Sequence, residues 1–313
     1  MNKPKLSEKK TKTQSPSLWD IQKLLTKWWI DKANTARLLE MIQDWEERAF
    51  IEEYQWALSY WAESMKDTQQ KVIITLDGRD TAGKWSNIKR VTEQLDIRRY
   101  AVKAFPGIPT DEEKFEHNWF RRYQAFFPQE WGVRFFDRSW YNRAWVEAAM
   151  WFCTEEEYNW FMTHVNGFEK EEIVDKGFDF LKIHLSITKD TQKERLNRRK
   201  HVRKRWKSSP IDAQAQEKWW FYTLAKQKML ELTDSAHAPW IVLDSNEKFL
   251  SAVEIIKAMV WTSHEVRKLI EKDLSIDLSP NFEVRRTAEQ ELERMRKAGQ
   301  IPSDKEFQFR VVE

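Results

Sequence analysis

The chain has 313 residues, enough for one large α/β domain with extensions or for two ordinary domains. Its 53 Lys and Arg stand against 50 Asp and Glu, a net charge of +3, which argues against a polybasic nucleic-acid tail and against an acidic disordered chain. Apolar residues at 41% supply a sizeable core, no apolar run is long enough to span a bilayer, and the lone Cys153 excludes a disulfide framework or a cysteine-built zinc site.

Residues 1–17 are rich in Lys, Ser, Thr and Pro and read as a disordered leader without the apolar stretch of a secretory signal. From Leu18 to about Lys66 the apolar residues recur at three- and four-residue steps, which predicts a helical extension over 18–70. The period then changes. Lys71–Asp77 is a β-branched apolar run ending at Gly78, the pattern of a buried parallel strand. Further strands are expected at Val102–Phe105, Val133–Phe136, Phe180–Ile187 and Trp240–Leu243. Between and after them, helical stretches are expected at Ser86–Leu95, Asp111–Phe126, Arg143–Val165, Asp190–Lys204, Ile211–Thr233 and Lys248–Leu269. Alternating strands and helices predict an α/β fold, a mostly parallel sheet flanked by helices, over a core of 71–262. Residues 263–313 read as a charged tail with a short helix at Thr287–Lys297.

Directly after the first strand stands Gly78-Arg-Asp-Thr-Ala-Gly83-Lys84, a GxxxxGK loop leading into a helix. Its backbone N–H groups would form an anion nest at the helix N-terminus, and Lys84 would add a positive charge. Trp85 occupies the place where such loops usually carry a metal-holding Ser or Thr. Asp80 is a carboxylate among expected phosphates and makes sense there beside a divalent cation. Asp77, at the strand end, reads as no more than a turn carboxylate. A second strand, Val133–Phe136, ends in Asp137, where α/β sheets place their sites and phosphoryl-transfer enzymes hold a metal. Arg138 and Arg143 follow it, with planar forks that match phosphate oxygens. Lys193–Lys207 is dense in Lys and Arg. Its place after a strand and a helix start suits a lid over 190–212 that closes on phosphates, with Arg195 and Arg199 on one helical face.

Several blocks, in this order, resemble polyphosphate kinase family 2 from about Glu53 to Trp261: GRDTAGK and the NIKR after it, HNWFRRY at His117–Tyr123, FDRSWYNRA at Phe136–Ala144, FCTEEEY at Phe152–Tyr158, WK-SP-D at Trp206–Asp212, and HAPW-V-D ending at Asp244. The resemblance implies a thymidylate-kinase-like P-loop kinase fold with a basic helical lid. It implies phosphoryl transfer between inorganic polyphosphate and a nucleoside mono- or diphosphate, with Mg²⁺. Asp80 and Asp137 would surround the metal, and Lys84 and Arg138 would hold the transferring phosphoryl group. Gly78, Arg79 and Gly83 would shape the loop. Arg122, Arg143, Arg195 and Arg199 would grip phosphate oxygens, with Lys89 and Lys207 as further candidates. A cytoplasmic homo-oligomer is implied, with Tyr54–Trp61 as an aromatic helix face. Neither a membrane nor a nucleic acid is expected as partner.

Two other readings share parts of this pattern. An ATP-dependent nucleoside monophosphate kinase would use the same loop, carboxylate and lid, without needing FDRSWYNR or an Asp inside the loop. A nucleic-acid-binding protein would use the 193–207 run as a phosphate stripe and would not need the nest.

The departures from the family pattern have a common form. Tryptophan stands at Trp85, Trp145 and Trp151 where the family carries glycine, and Trp131 is a further candidate. The chain holds 7 glycines and 18 tryptophans. One codon read as glycine in the native organism, and written here as tryptophan, explains the deficit and the excess together. Glycine is therefore expected at 85, 145 and 151 of the native protein.

Overall fold

A computed structural model describes residues 32–105, 109–114, 116–200 and 214–301. The expected leader, most of the expected lid and Lys207 lie outside the described residues. The chain divides into two units, Met1–Phe50 and Ile51–Glu313. The described part of the first is helical from Lys32 onward.

The larger unit is built on a six-stranded sheet in the order β2-β3-β1-β4-β5-β6. These strands are β1 (Lys71–Gly78), β2 (Tyr100–Ala104), β3 (Gly132–Asp137), β4 (Asp179–Ser186), β5 (Trp240–Asp244) and β6 (Arg285–Arg286). The first five run parallel, and β6 pairs antiparallel with β5 at the edge. The expected α/β architecture is thus the one observed. Successive residues of a strand point to opposite faces, and the sheet has an apolar core on each. Val72, Ile74 and Leu76 face one core with Ile183, Leu185 and Leu243, while Ile73, Phe136, Trp240 and Val242 face the other. That explains why β1 reads as an unbroken apolar run rather than an alternating one.

Helices cover both faces. The first described helix, α1 (Lys32–Thr68), puts Leu58, Trp61 and Met65 into the first core. Alongside lie α2 (Lys84–Thr92), α7 (Lys248–Val260) and α8 (His264–Leu274). The second core takes side chains from α3 (Glu116–Gln124), α4 (Glu155–Glu169), α6 (Trp219–Thr233) and α9 (Ala288–Lys297). A further helix, α5 (Lys189–Arg199), begins at a Thr188 cap whose side chain accepts from the Thr191 N–H. Of the stretch Tyr54–Trp61, read above as an aromatic helix face, Tyr54 and Trp61 are buried within the unit, while Trp56 and Tyr60 stay exposed.

The helix expected at Arg143–Val165 is interrupted. A π-helical turn at Arg143–Glu147 runs into Ala148–Met150, Trp151 turns left-handed at φ 58°, and α4 starts afresh at Glu155. Thr154 and Glu157 form a reciprocal capping box there, a T-x-x-E signal legible in the sequence. Similarly, the expected helix at 248–269 is two helices, α7 and α8.

Against the second face of the sheet sits a buried charged cluster. Lys182 of β4 donates to Glu169 at 2.7 Å, to the Tyr141 hydroxyl at 3.0 Å and to the Thr233 carbonyl at 2.8 Å. Trp140 Nε1 donates to the other Glu169 oxygen at 3.0 Å. Lys182 and Glu169 are both fully buried. Of the charged C-terminal stretch, the helix α9 is also built into the fold. Glu291 of α9 is fully buried and accepts from Lys226, Ser186 and Arg294.

Candidate active site at the carboxyl edge of the sheet

In an open parallel sheet the crevice lies beyond the strand carboxyl ends, where chain connections diverge to opposite sides. Here that place is the end of β1, between β3 and β4. The loop Gly78–Gly83 fills it, and two of its glycines are required by geometry. A Cβ on Gly78 would sit 2.6 Å from the Leu185 carbonyl oxygen of β4, and its φ is +149°. Gly83 takes a left-handed conformation, φ 101°, as N-cap of α2.

Neighbouring elements hold the loop by its carbonyls. Gln192 donates to Asp80 O at 3.2 Å, Ser245 to Ala82 O at 2.7 Å, and Arg195 to Thr81 O at 3.0 Å. Arg195 also donates to the carbonyls of Ser245 and Asn246. It therefore ties the loop to the end of β5, a positioning contact the sequence did not reveal. Lys84 is buried and folded back on the loop, donating to Gly78 O at 2.6 Å. Burial, and then Arg138 nearby, draws its ammonium below the ordinary lysine range, while Asp137, Asp80 and Asp77 pull it back. Those five side chains thus share one electrostatic neighbourhood.

Arg138 Nη2 meets Asp80 Oδ1 at 2.8 Å. Its backbone is left-handed, φ 70°, a conformation costing a non-glycine residue roughly 1–2 kcal/mol. The next residue, Ser139, is fully buried. Its N–H and hydroxyl donate to the two oxygens of Asp77 at 3.2 and 2.6 Å. Burial pushes the Asp77 carboxyl up to about 6, opposed by the Ser139 bonds, Lys84 and Arg138. Asp77, read from sequence as a turn carboxylate, is therefore the inner partner of the Asp137–Ser139 turn.

The donor set suits a hard divalent cation. Asp80 and Asp137 come from adjacent strand ends, and Asp137 makes no side-chain hydrogen bond or ion pair with a described residue. No group of three or more His, Cys, Asp or Glu converges among the described residues. Mg²⁺ needs none, since it is commonly held by one or two carboxylates with substrate phosphates and water.

Other expected residues sit elsewhere. Arg79 is buried under α6, its guanidinium 3.7 Å from the Trp219 ring and donating to Thr223. Arg143 is fully buried, 3.8 Å over the Trp119 ring, and pairs with Glu147 at 3.3 Å. Arg122 lies against Phe105 and Tyr123, 3.5 Å from Glu113. No described contact joins Arg79, Arg122 or Arg143 side chains to the loop carbonyls. Lys89 is exposed on α2, and Arg199 is half-buried in the last turn of α5.

The three suspect tryptophans differ in kind. Trp85 is 52% exposed. Trp145 is buried against His184 and Tyr222 with no hydrogen-bond partner for its Nε1 among the described residues. Trp151 caps a helix in the left-handed region that favours glycine, and is 42% exposed.

A family model described as polyphosphate kinase 2 matches residues 41–269. ADP-polyphosphate phosphotransferase 3 of Rhizobium meliloti is 37% identical over 193 residues, covering 61% of this chain and 67% of the relative. ADP-polyphosphate phosphotransferase of Pseudomonas aeruginosa is 42% identical over 182 residues, covering 58% of this chain and 59% of the relative. The chain thus spans about three-fifths to two-thirds of these relatives. The crystal structure of polyphosphate kinase 2 from Arthrobacter aurescens aligns with a TM-score of 0.58 at 27% identity, over 75% of this chain and 79% of that one.

Proposed function

The chain belongs to the polyphosphate kinase 2 family, and from that premise we propose that it moves a phosphoryl group between inorganic polyphosphate and a nucleoside mono- or diphosphate. The observation that carries this reading is the convergence of Lys84, Asp80, Asp137 and Arg138 on one phosphate-binding loop at the sheet's carboxyl edge. In the synthetic direction an oxygen of the nucleotide's terminal phosphate attacks the end phosphorus of the polymer. The P–O bond to the rest of the polymer breaks, so the nucleotide gains one phosphate and the polymer loses one. No covalent enzyme intermediate is required, because positioning and charge stabilisation carry this chemistry.

Asp80 and Asp137 are the residues that would hold Mg²⁺, whose charge offsets that of the phosphates. Loop N–H groups bind phosphate oxygens, with Lys84 and Arg138 placed to meet the transferring group. Lys84 must leave the Gly78 carbonyl to do so, and Arg138 must share or leave Asp80. The protein acts in the cytoplasm as a homo-oligomer, with Arg122, Arg143, Arg199, Lys89 and Lys207 as phosphate contacts reached on substrate binding. No helix among the described residues is long and apolar enough to cross a membrane.

The test is a coupled assay with ADP, GDP or AMP, polyphosphate and Mg²⁺ and no ATP, reading formation of the next higher nucleotide. Turnover with ATP plus a nucleoside monophosphate, and none with polyphosphate, would replace this reading with that of an ordinary monophosphate kinase.

A further inference from the structure

We propose that Asp77 and Ser139 are positioning residues that set the direction of the Arg138 guanidinium. The proposal rests on the phosphoryl-transfer reading above and assigns it a pair of residues that do not touch substrate. Two segments face each other across the β1–β3 ladder, Asp77–Asp80 and Asp137–Ser139, with Leu76 opposite Asp137. They are joined at both ends: Asp77 to Ser139 through two hydrogen bonds, and Asp80 to Arg138 through the 2.8 Å ion pair. Arg138 lies between these ties in a backbone conformation that it would not adopt unaided.

Its own N–H donates to the Leu76 carbonyl at 3.1 Å, which fixes where the turn begins. What fixes where it ends is Ser139. The hydroxyl donates to Asp77 and accepts from the Tyr141 N–H at 3.2 Å, so one oxygen closes the left-handed turn and caps the helical segment at Trp140–Asn142. Asp77 is itself built into the sheet, paired in register with His184 of β4 and 1% exposed. The rigid sheet is thereby transmitted through Asp77 and Ser139 to a single arginine. Without the latch, residue 138 relaxes to a right-handed or extended conformation and its side chain leaves the loop.

The experiment is a double-mutant cycle with a crystallographic arm. Ser139→Ala should lower kcat about tenfold or more, with KM for the nucleotide changed less than about twofold. In an Arg138→Ala background the same substitution should change kcat by less than about twofold, because the group it positions is gone. Asp77→Ala should behave like Ser139→Ala. Asp77→Asn keeps an acceptor for the Ser139 N–H and should recover part of the loss. A crystal structure of Ser139→Ala should show residue 138 out of the left-handed region and its guanidinium away from Asp80. Equal fold-losses in both backgrounds, or an unmoved Arg138 in the Ser139→Ala crystal, would overturn the proposal. Inactivity of the wild-type protein with polyphosphate would sink the functional reading alone; the crystal structure would still decide the latch.

Discussion

Gly78→Ala is the sharpest perturbation of the loop that leaves every charged group in place. The added methyl would lie 2.6 Å from Leu185 O, 3.1 Å from Leu185 Cβ and 3.3 Å from Ala82 Cβ. Neither side can yield cheaply. Gly78 and Leu185 are in-register partners in the β1–β4 ladder, so separating them breaks sheet hydrogen bonds, and Ala82 belongs to the loop itself. The backbone adds strain, since an L residue at φ +149° costs on the order of 1–3 kcal/mol. With overpacking at roughly 1–3 kcal/mol, the expected loss of stability is about 2–6 kcal/mol. Relief by moving the loop away from β4 would shift the nest by several tenths of an ångström. A 1 Å misplacement of reacting groups can cost about a hundredfold in rate, so kcat should fall by about tenfold or more. Urea unfolding of both proteins, followed by the polyphosphate assay under conditions where the variant is folded, measures the two effects separately. A variant within about 0.5 kcal/mol of wild type and with unchanged kcat would refute the close-approach reasoning.

Asp80→Asn and Asp137→Asn should each lower kcat by about a hundredfold and raise the Mg²⁺ concentration for half-activity; a variant with wild-type metal dependence would remove that carboxylate from the site. Glu147 is buried and its carboxyl is raised from 4.5 to about 7, chiefly by burial, with Arg143 opposing. A raised acid favours the folded state below its unfolded pKa, and that contribution is lost as pH rises through the folded value. Stability of wild type relative to Glu147→Gln should therefore fall by roughly 3 kcal/mol between pH 4.5 and 7, and a flat difference in urea unfolding would contradict this. Mass spectrometry of the native protein should find glycine at 85, 145 and 151, and native peptides with tryptophan at all three positions would end the recoding idea.

Much of the fold was legible because strand and helix periods differ and because β1 ends on a GxxxxGK loop. The left-out parts share a cause. Trp151 and Thr154–Glu157 break a helical pattern that apolar spacing alone carries straight through. At the site, Asp80, Lys84, Asp137 and Arg138 were visible as charges at strand ends. Asp77 was not, because its role depends on Ser139, sixty-two positions away, meeting it in space. Arg143 has a partner that spacing could have raised: it faces Glu147 one helical turn on, an i,i+4 pairing.

The Lys182–Glu169 pair has a consequence for how the sheet can go wrong. Strands of a parallel sheet that are apolar on both faces tolerate sliding better than alternating ones, because a one-residue slip exchanges one greasy face for another. Slip β4 by one residue, however, and the Lys182 ammonium turns toward the core lined by Val72, Ile74 and Leu76 of β1, away from Glu169, Tyr141 and Thr233. An unpaired buried ion costs several kcal/mol. The lysine works as a key cut for one slot. An apolar pair of equal volume would keep the bulk of the core, and would leave Leu185 free to drift from beneath Gly78.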